Sequence, residues 1–268
     1  KGLALRDTCK DHPLLSFCLA PQAPGTVTDK TLEKIATLSA QLEIPIHTHL
    51  HETRHEIAEG IKQYGVRPIQ RLHTLGLLGP QFIAVHAVYL EAAEIDQLSL
   101  TGCHIAFCPT SNLKLGSGIP NINDTHQRGI NFGLGTESAA SNNRLDIFQE
   151  MRLSSLLTKG ISEDPTAFTA HQALQAATLN GARALGLDQR IGSLLPGKAA
   201  DLCAVCLDDW MLQPCFDPAS HLVYTTRRDD VTHTWVAGRL QMHNGLPSNI
   251  DIHQLSAHAN IWHNRLAY

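Results

Sequence analysis

The sequence predicts an α/β fold, in which a parallel sheet covered by helices is followed by a small β subdomain. Five apolar, strand-like runs alternate with segments whose apolar residues recur at helical spacing. Strands that are apolar throughout and alternate with helices are typical of parallel sheets, so the sheet is either a barrel or a doubly wound sheet. No strand-like run is followed by GxGxxG or GxxxxGKS/T, which weighs against a nucleotide-binding fold.

The elements follow in order along the chain. The predicted strands are LLSFCLA (14–20), IPIHTHL (44–50), FIAVHAVYL (82–90), HIAFCP (104–109) and INFGLGT (130–136). Helices are expected near 28–42, 53–65, 91–102, 122–129, 145–159 and 166–186. In the first helix, Thr28 and Asp29 form a plausible N-cap and acidic first turn.

The composition changes near Asp188. The segments IGSLLPGKAADLCAVCLD and VTHTWVAGRLQMHNG have the pattern of short strands joined by glycine and proline turns. We therefore predict three regions: a partial barrel over 1–187, a β subdomain over 188–245, and a helical tail over 246–268.

Charge and cysteine content restrict the class of protein. The net charge is −4 and no basic run of five residues occurs, which argues against nucleic acid or an anionic membrane as the main partner and favours small molecules. No apolar stretch is long enough to span a membrane and the start lacks the features of a signal peptide, so a cytoplasmic location is expected. The seven cysteines are expected to be reduced and buried. Cys203 and Cys206 have CxxC spacing, which we interpret as structural, with zinc or redox use less favoured.

A histidine-rich segment lies at the end of the second predicted strand. Because residues of a strand alternate sides, His47, His49 and His51 in IPIHTHLHET are expected to share one face, and Glu52 follows on the loop. Histidines could also simply fill a barrel interior. Three histidines and a glutamate in six residues favour metal-assisted hydrolysis instead.

Two later strands carry further candidates. His86 lies within FIAVHAVYL, where a lone histidine would usually be a hydrogen-bonded core residue. Glu137 follows INFGLGT in the small-residue turn GTESAASNN. Since catalytic groups collect at the carboxyl ends of barrel strands, His49, His86 and Glu137 are expected to converge.

Six elements, in order HTHLHET, AVHAVYL, CPTSNLKLGSG, GTESAASNN, ATLNGARALGL and IGSLLPGKAADL, span nearly the whole chain. Together they resemble the amidohydrolase superfamily, specifically the chlorohydrolase-like branch that includes methylthioadenosine and S-adenosylhomocysteine deaminases. The resemblance implies a (β/α)8 TIM-type barrel, of which the last five strands are present, with a β subdomain made from both chain ends. It also implies one catalytic zinc, or alternatively iron, at the C-terminal face, and a possible homo-oligomer.

The resemblance assigns a role to each candidate. It implies that His49 and Glu137 are metal ligands, that Glu137 also acts as the base, and that His86 polarises the nucleophilic water. It implies that Glu52 carries a proton to the ring nitrogen of the substrate. The implied activity is metal-dependent hydrolytic deamination of an amino-substituted heterocycle, and the expected substrate is an adenosine derivative, methylthioadenosine or S-adenosylhomocysteine.

The sequence departs from the family pattern at several positions. Glu137 and Ser138 stand where the family usually has aspartate and glycine, and the extra methylene can displace the carboxylate by roughly 1 Å, against a tolerance of about 0.5 Å in catalytic sites. Near the fourth barrel strand, Gln22 replaces a histidine and Gly25 a tyrosine on the side expected to bind substrate. The paired HxH ligands of the first barrel strand have no counterpart. We therefore hypothesise that the chain is the C-terminal portion of a longer enzyme.

Three alternatives stay open. The chain could be a catalytically impaired homologue with a structural or interaction role. It could be a metal-binding module in which HTHLHETRH simply chelates. It could also be a deaminase or chlorohydrolase that acts on guanine-like or triazine-like rings.

Overall fold

The computed structural model describes residues 2–266 and contains two separate sheets. The first is a parallel sheet with strand order β1-β2-β3-β4, which confirms the α/β class. Its strands are β1 (Ile46–Leu50), β2 (Phe82–His86), β3 (His104–Phe107) and β4 (Asn131–Leu134). The second is an antiparallel sheet made of β5 (Leu202–Val205), β6 (Val231–Val236), β7 (Arg239–His243) and β8 (Leu246–Pro247).

Helices follow and cover the parallel strands. Those that precede or join them are α1 (Gly2–Cys9), α2 (Asp29–Leu42), α3 (Arg54–Tyr64), α4 (Pro68–Thr74), α5 (Ala92–Leu100), α6 (Pro109–Leu115) and α7 (Ile122–Gln127). After β4 come α8 (Ala139–Asn142), α9 (Ile147–Ser162), α10 (Ala170–Ala177), α11 (Leu179–Ala184), α12 (Pro218–Tyr224) and α13 (Ile252–Leu266). All the predicted helices are present, although the one expected over 166–186 is divided into α10 and α11, whereas α1, α4, α6, α8 and α12 were not predicted. The predicted N-cap Thr28 precedes α2, although its side chain accepts no backbone N–H there.

The predicted strand at 14–20 is wrong as a strand, because it contributes only one parallel bridge, between Leu19 and Ile46. Leu19 donates to the Pro45 carbonyl and accepts from the His47 N–H. The next ladder bond would need an N–H from Pro21, which proline lacks. The four remaining predicted strands form the parallel sheet.

The core of the molecule lies between the parallel sheet and its helices. Phe82, Phe107 and Phe132 come from three neighbouring strands and are almost fully buried. Gly133 of β4 faces α11, where a Cβ atom would lie 3.0 Å from the Gly181 Cα. This close approach fixes the helix against the last strand of the sheet.

The four antiparallel strands lie within residues 202–247, with α12 between the first two of them. The region boundaries at 188 and 246 stay predictions. Two of the buried thiols expected from the sequence, Cys103 and Cys108, are buried, but Cys18, Cys203 and Cys206 are exposed. Cys203 lies in β5 and Cys206 directly follows that strand, and because this sheet is only partly buried, both side chains are left in contact with solvent.

Candidate active site

The carboxyl ends of the parallel strands meet at a cavity of about 340 Å³. The strand register pairs Leu50 with His86 and Phe107 with Leu134, so these ends lie at one edge of the sheet. The cavity is lined by Gln22, Ala23, His49, Glu52, Thr53, Glu56, His86, Leu115 and Glu137. The structure therefore brings together five of the residues that the sequence singles out, namely Gln22, His49, Glu52, His86 and Glu137.

His49 is oriented by the segment that precedes α2. Its Nδ1 lies 2.6 Å from the backbone oxygen of Gln22, and because a carbonyl only accepts, the ring donates its Nδ1–H there. The Nε2 lone pair is then directed away from that contact, 3.9 Å from Oε1 of Glu137. The main chain of Gln22 thus binds the His49 ring, and Gln22 also lines the cavity.

His86 stacks on His49, with ring centroids 5.4 Å apart, and is almost fully buried. Its Nδ1 lies 2.7 Å from Oδ1 of Asn112, to which it donates, so Nε2 carries the lone pair of the neutral ring. Nε2 lies 3.8 Å from Oε2 of Glu52. Burial lowers the pKa of His86, against the opposing effect of Glu52, and the ring is therefore held in its neutral form.

Glu52 begins the loop after β1 and is held at both its main chain and its carboxylate. The backbone N–H groups of His51 and Glu52 donate to the Glu56 carboxylate over 2.9 and 2.8 Å. The hydroxyl of Ser117 donates to Oε1 of Glu52 over 2.8 Å. Burial raises the pKa of Glu56, whose carboxylate holds the main chain that carries Glu52.

Glu137 lies two residues beyond Gly135, at the turn between β4 and α8. Its φ of +60° is in the left-handed region, which few side chains adopt. Burial alone would raise the pKa of Glu137, but hydrogen bonds from Ser138 and from the Ser111 hydroxyl outweigh it and lower that pKa. The carboxylate is therefore ionised at neutral pH and faces the cavity.

His49 and Glu137 fit two positions in the ligand set of a zinc or iron ion. The 3.9 Å between Nε2 and Oε1 is within the roughly 4.1 Å that two zinc–ligand bonds together can span. An imidazole nitrogen and a carboxylate oxygen suit either metal. Within residues 2–266, however, no group of three His, Cys, Asp or Glu side chains is close enough to hold a metal. The described residues thus include two side chains that could bind a metal, but not a set of three.

Two other histidines of HTHLHET behave differently from each other. His47 shares the face of His49, and burial, with the charges of His49 and His86, lowers its pKa. The prediction that His51 shares this face is wrong. β1 ends at Leu50, and His51 has a φ of +52°, which turns its ring into the core beneath α4.

Sequence reasoning missed the side chains that support the candidate residues. Ser111, Asn112 and Ser117 all belong to CPTSNLKLGSG, a motif that carries the family resemblance but received no role. The sequence feature that could have indicated these supporting residues is a run of small polar residues directly after the third parallel strand. Gly25, noted as a departure, is not among the residues that line the cavity.

Comparison with known proteins gives a consistent result. The sequence profile of the amidohydrolase family matches residues 8–240. A 5-methylthioadenosine/S-adenosylhomocysteine deaminase of Teredinibacter turnerae is 43% identical over 266 residues, which cover 99% of this chain and 60% of that protein. The chain thus spans about three fifths of the length of such relatives.

Solved structures agree with the sequence relatives. An adenosine deaminase from Xanthomonas campestris with bound zinc superposes with a TM-score of 0.97 at 42% identity, over 98% of this chain and 60% of that one. Atrazine chlorohydrolase from Arthrobacter aurescens, complexed with zinc, superposes with a TM-score of 0.90 at 25% identity, over 97% and 58% of the two chains. The described fold therefore matches about three fifths of such TIM-barrel hydrolases, and the chain belongs to the amidohydrolase family.

Proposed function

We propose that the protein is a metal-dependent hydrolytic deaminase of an adenosine derivative, such as methylthioadenosine or S-adenosylhomocysteine. The observation that carries the proposal is the convergence of His49, Glu52, His86 and Glu137 on one cavity at the carboxyl ends of parallel strands. The substrate class is supported by relatives named as deaminases of these nucleosides and by an adenosine deaminase of very similar structure. The cavity volume is at the lower end of the range for small-molecule sites.

In this proposal His49 and Glu137 hold the metal, which is zinc or alternatively iron. A bound metal would lower the pKa of a coordinated water from about 15.7 toward 7 and so supply hydroxide at neutral pH. The anchored Nδ1 of His49 leaves Nε2 free for this role. The low pKa of Glu137 keeps its carboxylate available as a ligand.

The proton transfers are assigned to the side chains of the chain itself. Glu52 donates a proton to a ring nitrogen of the substrate, which makes the adjacent carbon that bears the amino group more electrophilic. Neutral His86 accepts a hydrogen bond from the attacking water at Nε2, because Asn112 fixes its proton on Nδ1. Glu137 removes a proton from that water as the water oxygen bonds to the ring carbon, and passes this proton to the amino group. The C–N bond then breaks and ammonia leaves, the oxygen stays on the ring as the oxo group, and the second proton of the water replaces the one that Glu52 donated. Gln22 is proposed to contact the substrate where it lines the cavity.

The test is incubation of the purified, zinc-loaded chain with methylthioadenosine, S-adenosylhomocysteine, adenosine, guanine and an aminotriazine. Released ammonia and the change in ultraviolet absorbance from aminopurine to oxopurine are the readouts. Glu52→Gln should reduce turnover by about 10²- to 10⁴-fold, as expected for loss of a general acid, while zinc stays bound. Glu59→Gln, on the exposed surface of α3, is the matched control and should retain turnover.

The same experiment separates the alternatives. Turnover of guanine or the triazine alone would assign the site to those rings. Bound zinc without turnover of any of these compounds would contradict the proposal and favour an impaired homologue. The partial ligand set and the left-handed Glu137 are the observations on the side of that alternative.

The simple chelating module is less well supported by the geometry. His51 is buried and turned toward α4, so HTHLHETRH does not present its histidines together. No helix within residues 2–266 has the length and apolar character needed to cross a membrane. The cytoplasmic location and the homo-oligomer expected from the sequence stay predictions.

A further inference from the structure

One short segment, Ser111–Ser117, contacts three of the four proposed catalytic side chains. The Ser111 hydroxyl donates to Glu137 Oε2 over 3.3 Å, and the Asn112 side-chain oxygen accepts from His86 over 2.7 Å. The Ser117 hydroxyl donates to Oε1 of Glu52 over 2.8 Å. Helix α6 and the turn after it therefore hold residues that arrive from three different strands.

The position of Ser117 is set by the end of α6. Gly116 terminates the helix with φ +69°, and its N–H bonds back to the carbonyls of Asn112 and Leu113. Ser117 then donates its own N–H to the Asn112 carbonyl over 2.9 Å. Because Asn112 binds His86 through its side chain, the same residue fixes His86 and the main chain that carries Ser117.

The hydrogen bond from Ser117 distinguishes the two oxygens of Glu52. Ser117 is 3% exposed, so its hydroxyl has little access to solvent and its donated proton is committed to Oε1. Oε2 is the oxygen near Nε2 of His86, at 3.8 Å, where the carboxyl lines the cavity. A carboxyl whose Oε1 accepts a hydrogen bond presents Oε2 as the oxygen that carries the transferable proton.

We propose that Ser117 is a positioning residue, which orients the carboxyl of Glu52 so that Oε2 faces the bound heterocycle. The kinetic consequence rests on the proposed deaminase function, whereas the orienting contact does not. The role requires a hydroxyl at this position, since an alanine would leave the carboxyl free to rotate away from His86.

The kinetic test compares Ser117→Ala and Ser117→Thr with the unchanged chain. A positioned general acid contributes about 10²- to 10⁴-fold, so a misoriented Glu52 carboxyl should lower kcat by about 10- to 100-fold. KM should change less than about twofold, because the affected proton transfer belongs to the transition state rather than to substrate binding. Ser117→Thr keeps the hydroxyl and should restore most of the lost kcat. Ser154→Ala is the matched control, because Ser154 is also buried but its hydroxyl donates to the Met151 carbonyl within α9, away from Glu52.

A second measurement needs no activity. Infrared difference spectra between the unchanged chain and Glu52→Gln identify the carboxylate band of Glu52. Ser117→Ala should shift that band, since one oxygen loses its donor, while Ser154→Ala should leave it in place. An unshifted band in Ser117→Ala, or a kcat equal to that of Ser154→Ala, would overturn the proposal. Absence of deaminase activity in the unchanged chain would contradict the proposed function alone, and the infrared band would still decide the role of Ser117.

Discussion

His51 is expected to make the stability of the fold depend on pH. The side chain is fully buried, and its Nε2 accepts the N–H of Ile69 over 3.3 Å. The proton of the neutral ring therefore sits on Nδ1, 3.6 Å from Oε2 of Glu94. Protonation would place a second proton on Nε2, directly opposite the Ile69 N–H, and would charge a ring that has no access to water.

The size of the pH-dependent change in unfolding free energy follows from the pKa of His51. Burial lowers the pKa of His51 from 6.5 to about 4, and the charge of Arg67 adds to this effect while Glu94 opposes it. The unfolded chain binds more protons than the folded chain between these two values, so stability is complete above pH 6.5 and is lost as the pH falls toward 4. A difference of about 2.5 in pKa corresponds to roughly 3 kcal/mol of unfolding free energy.

The assay is urea unfolding followed by circular dichroism at several pH values across this range. His51→Gln keeps an acceptor for the Ile69 N–H but does not titrate, so its unfolding free energy should depend less on pH than that of the unchanged chain. His55→Gln, on the exposed surface of α3, is the matched control for removing a histidine. An equal pH dependence in the unchanged chain and His51→Gln would refute the reasoning.

Three further outcomes are expected. His49→Ala should remove bound zinc from the purified chain, as measured by elemental analysis, whereas His55→Ala should not; equal losses would indicate simple chelation. Glu137→Asp should raise zinc affinity in a chelator competition, because aspartate is the usual family residue and its carboxylate lies roughly 1 Å closer to the main chain. An unchanged affinity would show that the extra methylene of Glu137 does not weaken metal binding. Gly133→Ala should lower the unfolding free energy by about 1–3 kcal/mol, because its Cβ meets the backbone of α11. Gly160→Ala, where a Cβ has open space within a helix, should be neutral or stabilising, and an equal loss in both variants would contradict the packing argument.

The sequence was sufficient to predict features that depend on periodicity. Alternating apolar runs and helical segments determine the strand and helix order, and parallel strands place their carboxyl ends at one edge. His49, His86 and Glu137 could therefore be grouped before any coordinates were known, although they are far apart in the chain. The assignment of roles depended on the family resemblance.

Other features depend on contacts or backbone angles that periodicity does not encode. His51 continues the alternation of β1 in the sequence, but a left-handed φ reverses its direction. The ladder beside β1 stops at Pro21 after a single bridge. The hydrogen bond between Ser117 and Glu52 joins residues 65 positions apart, and only the turn after α6 brings them together.

The strands bring the site residues to one edge, but helices determine how those side chains are held. Glu150 of α9 is buried, and burial raises its pKa. Its carboxylate accepts the Thr110 N–H over 3.0 Å and the Asn142 amide over 2.8 Å, and that amide also binds the Thr136 carbonyl next to Glu137. The start of α6 and the loop of Glu137 therefore share one anchor in α9. A disturbance of this anchor would reach both the proposed metal ligand Glu137 and, through α6, the groups proposed to transfer protons, although α9 contributes no residue to the cavity wall.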